Sequence, residues 1–145
     1  NFLRSGTVSG FILLMDVLKY LIIPFKDRGR DKGGVDCFGL VQLIYQEEFK
    51  IQLPSYIEMY ENEKDKKAIC HAINSEKKLS GWLETSNPKF GNLIILNLLG
   101  RPLHLGVMLD ENSFIHCMKG KGTIIENTTD ISWRNRINGY LKWTT

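Results

Sequence analysis

Gly33-Gly34-Val35-Asp36-Cys37-Phe38-Gly39-Leu40-Val41-Gln42-Leu43-Ile44-Tyr45-Gln46-Glu47-Glu48-Phe49 is the stretch that organises the rest of the chain. Cys37, Leu40, Val41, Ile44 and Tyr45 recur at three- and four-residue spacing, while Gln42, Gln46 and Glu47 fall elsewhere. That is the period of an amphipathic helix over residues 37–49. Asp36 stands at the N-cap, where a carboxylate accepts the free N–H groups of the first turn. The helix thus opens on a cysteine. A thiol there sits near the positive end of the helix dipole, which predicts a lowered pKa and a larger thiolate fraction. A lone cysteine on an apolar helix face is more often a small core residue, so its partners must decide.

Upstream, Met15, Val17, Leu18, Leu21 and Ile22 follow a short helical pattern that Pro24 ends. A polar, glycine-rich loop, Lys26 to Gly34, joins it to the cysteine helix. Downstream, residues 61–79 are charged, with Ala68, Ile69, Ala72 and Ile73 forming a narrow stripe, the pattern of a surface helix. Then the period changes. Leu93–Leu96 is a buried apolar run, and Leu103, Leu105, Val107 and Leu109 alternate with His104, Gly106 and Met108. Ser113–Met118 and Thr123–Ile125 follow, after the turns Asp110-Glu111-Asn112 and Lys119-Gly120-Lys121-Gly122. Helices first and an antiparallel meander second make an α+β fold, with the cysteine helix packed on the sheet.

The meander supplies the partners. A three-residue loop at 110–112 pairs Leu109 with Ser113 and sets His116 opposite Gly106. His104 lies two residues along the same strand, so both imidazoles share one sheet face at diagonal positions. One ring can take the thiol proton while the other orients it, the logic of a nucleophile, base and orienter. A zinc site is the competing reading for Cys37, His104, His116 and Cys117. It lacks any Cys-x-x-Cys or His-x-x-x-His pair, and adjacent His116 and Cys117 point to opposite faces of a strand. No metal or other cofactor is therefore expected. Cys70-His71 falls in the polar helix and reads as solvated or packing. Gly120-Lys121-Gly122-Thr123 lacks the spacing of a phosphate loop and reads as a hairpin turn. Arg28 and Arg30 precede the cysteine and could meet an acidic substrate, against the plainer reading of a solvated loop.

Composition narrows the classes. The 145 residues are one domain's worth, 43% hydrophobic and 24% charged, which excludes a disordered chain, a collagen-like repeat and a coiled coil. The formal net charge of +3 comes from Lys and Arg dispersed among acids, not the clustered basic face of a nucleic-acid binder. Three cysteines are too few for a disulfide framework, and a free thiol suits a cytoplasmic, reducing site of synthesis. No stretch reaches the ~18 apolar residues of a membrane span. The apolar run Phe11–Met15 after Arg4 is too short for a signal peptide and lacks a cleavage site. Residues 1–14 read as an N-terminal extension, and 15–145 as the domain.

Residues 33–41 resemble the nucleophile motif of the NlpC/P60 cysteine peptidases. Phe90-Gly91-Asn92-Leu93-Ile94 is similar to that family's Gly-Asp-apolar strand, His104–Leu109 to its histidine strand, and Phe114-Ile115-His116 to the strand bearing its third polar residue. Phe25–Asp31 and Ile51–Pro54 look most like the small phage and prophage tail members. The resemblance implies a papain-like α+β fold and hydrolysis of amide bonds in peptidoglycan stem peptides, between D-γ-glutamyl and a diamino acid. It implies Cys37 as nucleophile, His104 as general base, His116 as its orienter, and the Cys37 backbone N–H as oxyanion donor. It also implies incorporation into a virion tail beside other tail proteins. Asp36, Phe25, Phe38, Arg28 and Arg30 are the candidates for substrate contact. Three positions depart from the family pattern: Phe38 stands where many members carry Ser, Phe25 where many carry Tyr, and Asn92 where Asp is common. The first two put the usual dipeptide specificity in question, and Asn92 bears on strand structure. A non-catalytic tail-tip assembly module and an acyltransferase using the same three residues are the alternatives.

Overall fold

The computed structural model describes residues 17–144. The expected extension over 1–14 lies outside them. Helix α1, over 17–21, is followed by a chain that bridges back through Phe25 to Val35. The expected loop folds on itself as a small hairpin, β1 (Arg30–Asp31) with β2 (Gly34–Val35). Helix α2 (Cys37–Ile44) begins where the sequence places it and continues as a π-helical turn, Tyr45–Phe49, ended by Lys50 in the left-handed region. Gly39 is where α2 meets the preceding loop. A Cβ there would lie 2.0 Å from the Gly29 carbonyl oxygen, so only glycine permits the approach.

Helix α3 (Lys66–Lys77) carries the expected stripe through Ile69, Ala72 and Ile73. Glu76 extends that stripe inward, its carboxyl accepting the Trp82 indole N–H.

Strands β3 (Trp82–Thr85), β4 (Leu93–Leu98), β5 (Arg101–Met108), β6 (Ser113–Met118), β7 (Gly122–Asn127) and β8 (Ile137–Trp143) form one antiparallel sheet in the order β3-β8-β4-β5-β6-β7. The class is α+β, as expected. The meander is only part of it: β4 to β7 run in sequence, but β8 returns to pair with β4. Neither β3 nor β8 declares itself in the sequence. Ile137, Tyr140, Leu141 and Trp143 do not alternate, because the β4–β8 register shifts between Ile95 and Leu96.

The two faces of the sheet bury different residues. Leu93, Ile95, Leu105, Val107 and Ile115 face the helices, whereas Ile94, Leu96, Met108 and Phe114 gather with Trp133 on the other side. Strand β4, buried on both faces, needs its continuous apolar run.

The β5–β6 ladder positions the site. Its pairing runs only through Met108↔Phe114 and Val107↔Ile115, while β6–β7 pairing continues to Met118. Beyond Val107 the strands part, and α2 packs against both. Gly106 stands at the parting point, where a Cβ would lie 3.0 Å from the Ile115 carbonyl oxygen.

Candidate active site

Asp36 builds the start of α2. Its Oδ1 accepts the Gly39 N–H at 2.9 Å, and its backbone oxygen accepts the Leu40 N–H at 3.0 Å. The side chain thereby caps one of the helix's four free N–H groups, and the backbone oxygen takes the first intrahelical bond. The Cys37 N–H stands in that same first turn, at the helix start. The carboxyl of Asp36 also takes Arg30 Nη1 at 2.7 Å and the Tyr60 hydroxyl.

Arg30 is thus turned inward. It donates further to the Ser55 and Gly29 carbonyls, each at 2.8 Å. Arg28 donates to the Ile57 carbonyl at 3.1 and 2.8 Å. Both guanidinium groups are engaged by the protein itself, and neither lines the cavity beside Cys37. Phe25, Asp36 and Phe38 do line it, and Phe38 packs on the rings of Tyr56 and Tyr60.

That cavity measures about 260 Å³ and is shared by Cys37 and His104. The expected backbone pairing of His116 with Gly106 is not formed, because the ladder ends at Val107↔Ile115, but the two imidazoles still meet, with His104 Nε2 2.7 Å from His116 Nδ1. His116 is fully buried and His104 is 5% exposed. Two residues outside the expected set complete the cluster. Glu126 Oε2 lies 3.2 Å from His116 Nε2 and also accepts the Trp133 indole N–H. Trp133 lies nearly parallel to the His104 ring, 6.2 Å away, and edge-on to His116 at 5.3 Å. Glu126 was legible in principle. The turn at 119–121 sets His116 opposite Ile124, and Glu126 follows diagonally on the same face. Trp133 comes from the irregular segment before β8 and gives no such signal.

The thiol differs from expectation. Burial pushes Cys37 up to about 12, and the Asp36 carboxylate adds to this. The Leu105 N–H, Arg30 and the Phe38 N–H pull the other way and are outweighed. The helix start alone predicts the opposite sign. It fails here because burial penalises the thiolate and the capping anion lies next to the thiol. Burial holds His104 down at about 3 and His116 at about 4, so both rings are neutral at pH 7. A neutral thiol facing a neutral imidazole can exchange a proton only as bonding at sulfur changes.

Cys117 points away from the histidines and donates to the Val35 carbonyl at 3.3 Å. Cys70 contacts Asn74 on α3. Among the described residues no group of three or more His, Cys, Asp or Glu side chains is arranged to hold a metal ion. No helix among them is long and apolar enough to cross a membrane.

A model of the NlpC/P60 family matches residues 23–142. The chain is 27% identical over 116 residues to the murein DD-endopeptidase MepS/murein LD-carboxypeptidase of Escherichia coli, covering 80% of this chain and 53% of that protein. It is 25% identical over 114 residues to the probable endopeptidase NlpC of the same organism, covering 77% and 63%. The chain thus spans between half and two thirds of these relatives. In fold it is similar to the NlpC/p60 domain of the peptidoglycan hydrolase SagA, with a TM-score of 0.62 and 15% identity over 90% of this chain and 95% of that one. It is also similar to an NlpC/P60 protein of Bacillus cereus, with a TM-score of 0.66 and 16% identity over 92% and 39%.

Proposed function

The chain belongs to the NlpC/P60 family, and from that membership we propose that it is a cysteine-type hydrolase of amide bonds in peptidoglycan stem peptides. One observation carries the reading. Cys37 opens a helix into the same cavity as His104, whose far nitrogen is held 2.7 Å from His116. The relatives named as murein and peptidoglycan hydrolases support the substrate class.

Cys37 Sγ attacks the amide carbonyl carbon as the thiol proton passes to His104 Nδ1. The carbonyl oxygen takes up the negative charge, facing the Cys37 N–H at the helix start. Collapse breaks the C–N bond, and the leaving amine takes the proton from His104. A thioester remains on Cys37. Water then gives a proton to His104 and attacks the thioester, and the thiol returns with that proton as the new carboxyl group leaves. Because the thiol is neutral at rest, removal of its proton belongs to the attack itself.

The bond we assign is the one between D-γ-glutamyl and a diamino acid. Phe25 and Phe38 line the cavity where the family pattern carries Tyr and Ser, so substrate contact there is apolar. The likeness of residues 25–31 and 51–54 to tail members supports a place on a phage or prophage tail. There the enzyme would open the wall for passage. Incubation with purified muropeptides, read by mass spectrometry, tests the reading. New products ending in D-γ-glutamate are expected; an unchanged muropeptide profile overturns it.

A further inference from the structure

The paired imidazoles leave one question open, because each ring can carry its proton on either nitrogen and only one arrangement gives a base toward Cys37. Nothing about two neutral histidines in contact settles the choice. A third group must.

Glu126 is placed to do so. Its Oε2 lies 3.2 Å from His116 Nε2 and accepts the indole N–H of Trp133, a group that can only donate. Lys121 Nζ lies 3.8 Å from the other oxygen. A carboxylate accepts and does not donate, so His116 carries its proton on Nε2. His116 Nδ1 is then an acceptor, and the group 2.7 Å from it, His104 Nε2, must be the donor. That leaves His104 Nδ1 bare. The chain of roles has no freedom once its end is fixed.

We propose that Glu126 is a positioning residue that sets the tautomers of both imidazoles and so holds His104 Nδ1 ready to accept the Cys37 proton. Trp133 supports it by holding Oε2 and packing beside both rings, with its own side chain 4% exposed. Two residues from separate segments, His116 on β6 and Trp133 before β8, converge on one carboxylate oxygen of Glu126 on β7. The inference rests on the reading of Cys37 and His104 as the reacting pair.

The test reads the tautomers first, without substrate. Nitrogen-15 NMR of the imidazoles at neutral pH should show His116 and His104 each protonated at Nε2 and bare at Nδ1. A wild-type His116 protonated at Nδ1 overturns the proposal. Glu126→Leu removes the acceptor. Its His116 should shift toward the Nδ1–H form, with kcat on muropeptides falling about 10- to 100-fold and KM unchanged. Glu126→Gln keeps an acceptor oxygen and should restore the wild-type tautomers and most of the lost rate. Should Glu126→Leu fail to fold, the wild-type and Glu126→Gln spectra still decide. Tautomers and kcat unchanged in a folded Glu126→Leu overturn the proposal. Expected tautomers in a protein that cleaves no muropeptide would instead count against the hydrolase reading.

Discussion

His104 Nε2 and His116 Nδ1 meet at 2.7 Å across two strands whose backbone ladder has already parted. The side-chain bond therefore ties β5 to β6 where main-chain bonds do not. Replacing His116 with Phe leaves the His104 N–H buried without its acceptor. The expected cost is about 1–3 kcal/mol in urea unfolding, together with a loss of kcat. A Phe variant as stable as wild type would show that this bond holds nothing.

Acid should weaken the fold through the same pair. Burial lowers His104 from 6.5 to about 3 and His116 from 6.5 to about 4. Between those values and 6.5 the unfolded chain binds protons that the folded chain does not. Their contribution to stability is therefore complete above about pH 6.5 and is lost as pH falls toward 4 and then 3. The urea midpoint should drop across that window. A His104→Gln variant should show a shallower drop, and equal slopes would contradict the assignment.

The thiol offers an independent check. With Cys37 pushed up to about 12, alkylation by iodoacetamide should be slow at neutral pH. It should climb about tenfold per pH unit until well into the alkaline range, because the thiolate reacts. Residue-resolved mass spectrometry separates Cys37 from Cys70, which is also partly exposed. A plateau already reached near pH 7 would mean a preformed thiolate.

Arg28 and Arg30 should part company on substitution. Arg30 and Asp36 form a nearly buried pair, with side chains 13% and 9% exposed, and Asp36 also caps α2. Arg30→Met is expected to cost about 3–5 kcal/mol in chemical denaturation by leaving that carboxylate unpaired. Arg28 is exposed, and Arg28→Ala should stay within about 0.5 kcal/mol of wild type. Equal effects would contradict the inward placement of Arg30.

Local chemistry was the legible part of the sequence. The cysteine helix follows from its period and from Asp36, and the shared face of the two histidines follows from a three-residue loop whose register holds as far as Val107 and Ile115. What escaped depends on distance along the chain. Strand β8 pairs with β4 some 45 residues earlier, through a register shift that erases its alternation. Arg28 and Arg30 look alike in a polar loop. Only the later arrival of Ser55, Ile57 and Tyr60 separates the exposed one from the nearly buried one. The thiol pKa escaped for a related reason: the helix start is local, but burial is set by the whole fold.

Parallel digestion of muropeptides by wild type, Cys37→Ala and Cys70→Ala tests the central claim most directly. Wild type and Cys70→Ala should release the same products at similar rates, and a folded Cys37→Ala should release none. Product persisting with Cys37→Ala would contradict the account, because the thioester it describes has no other sulfur in the cavity beside His104 that faces the base (Cys117 is turned toward the Val35 carbonyl).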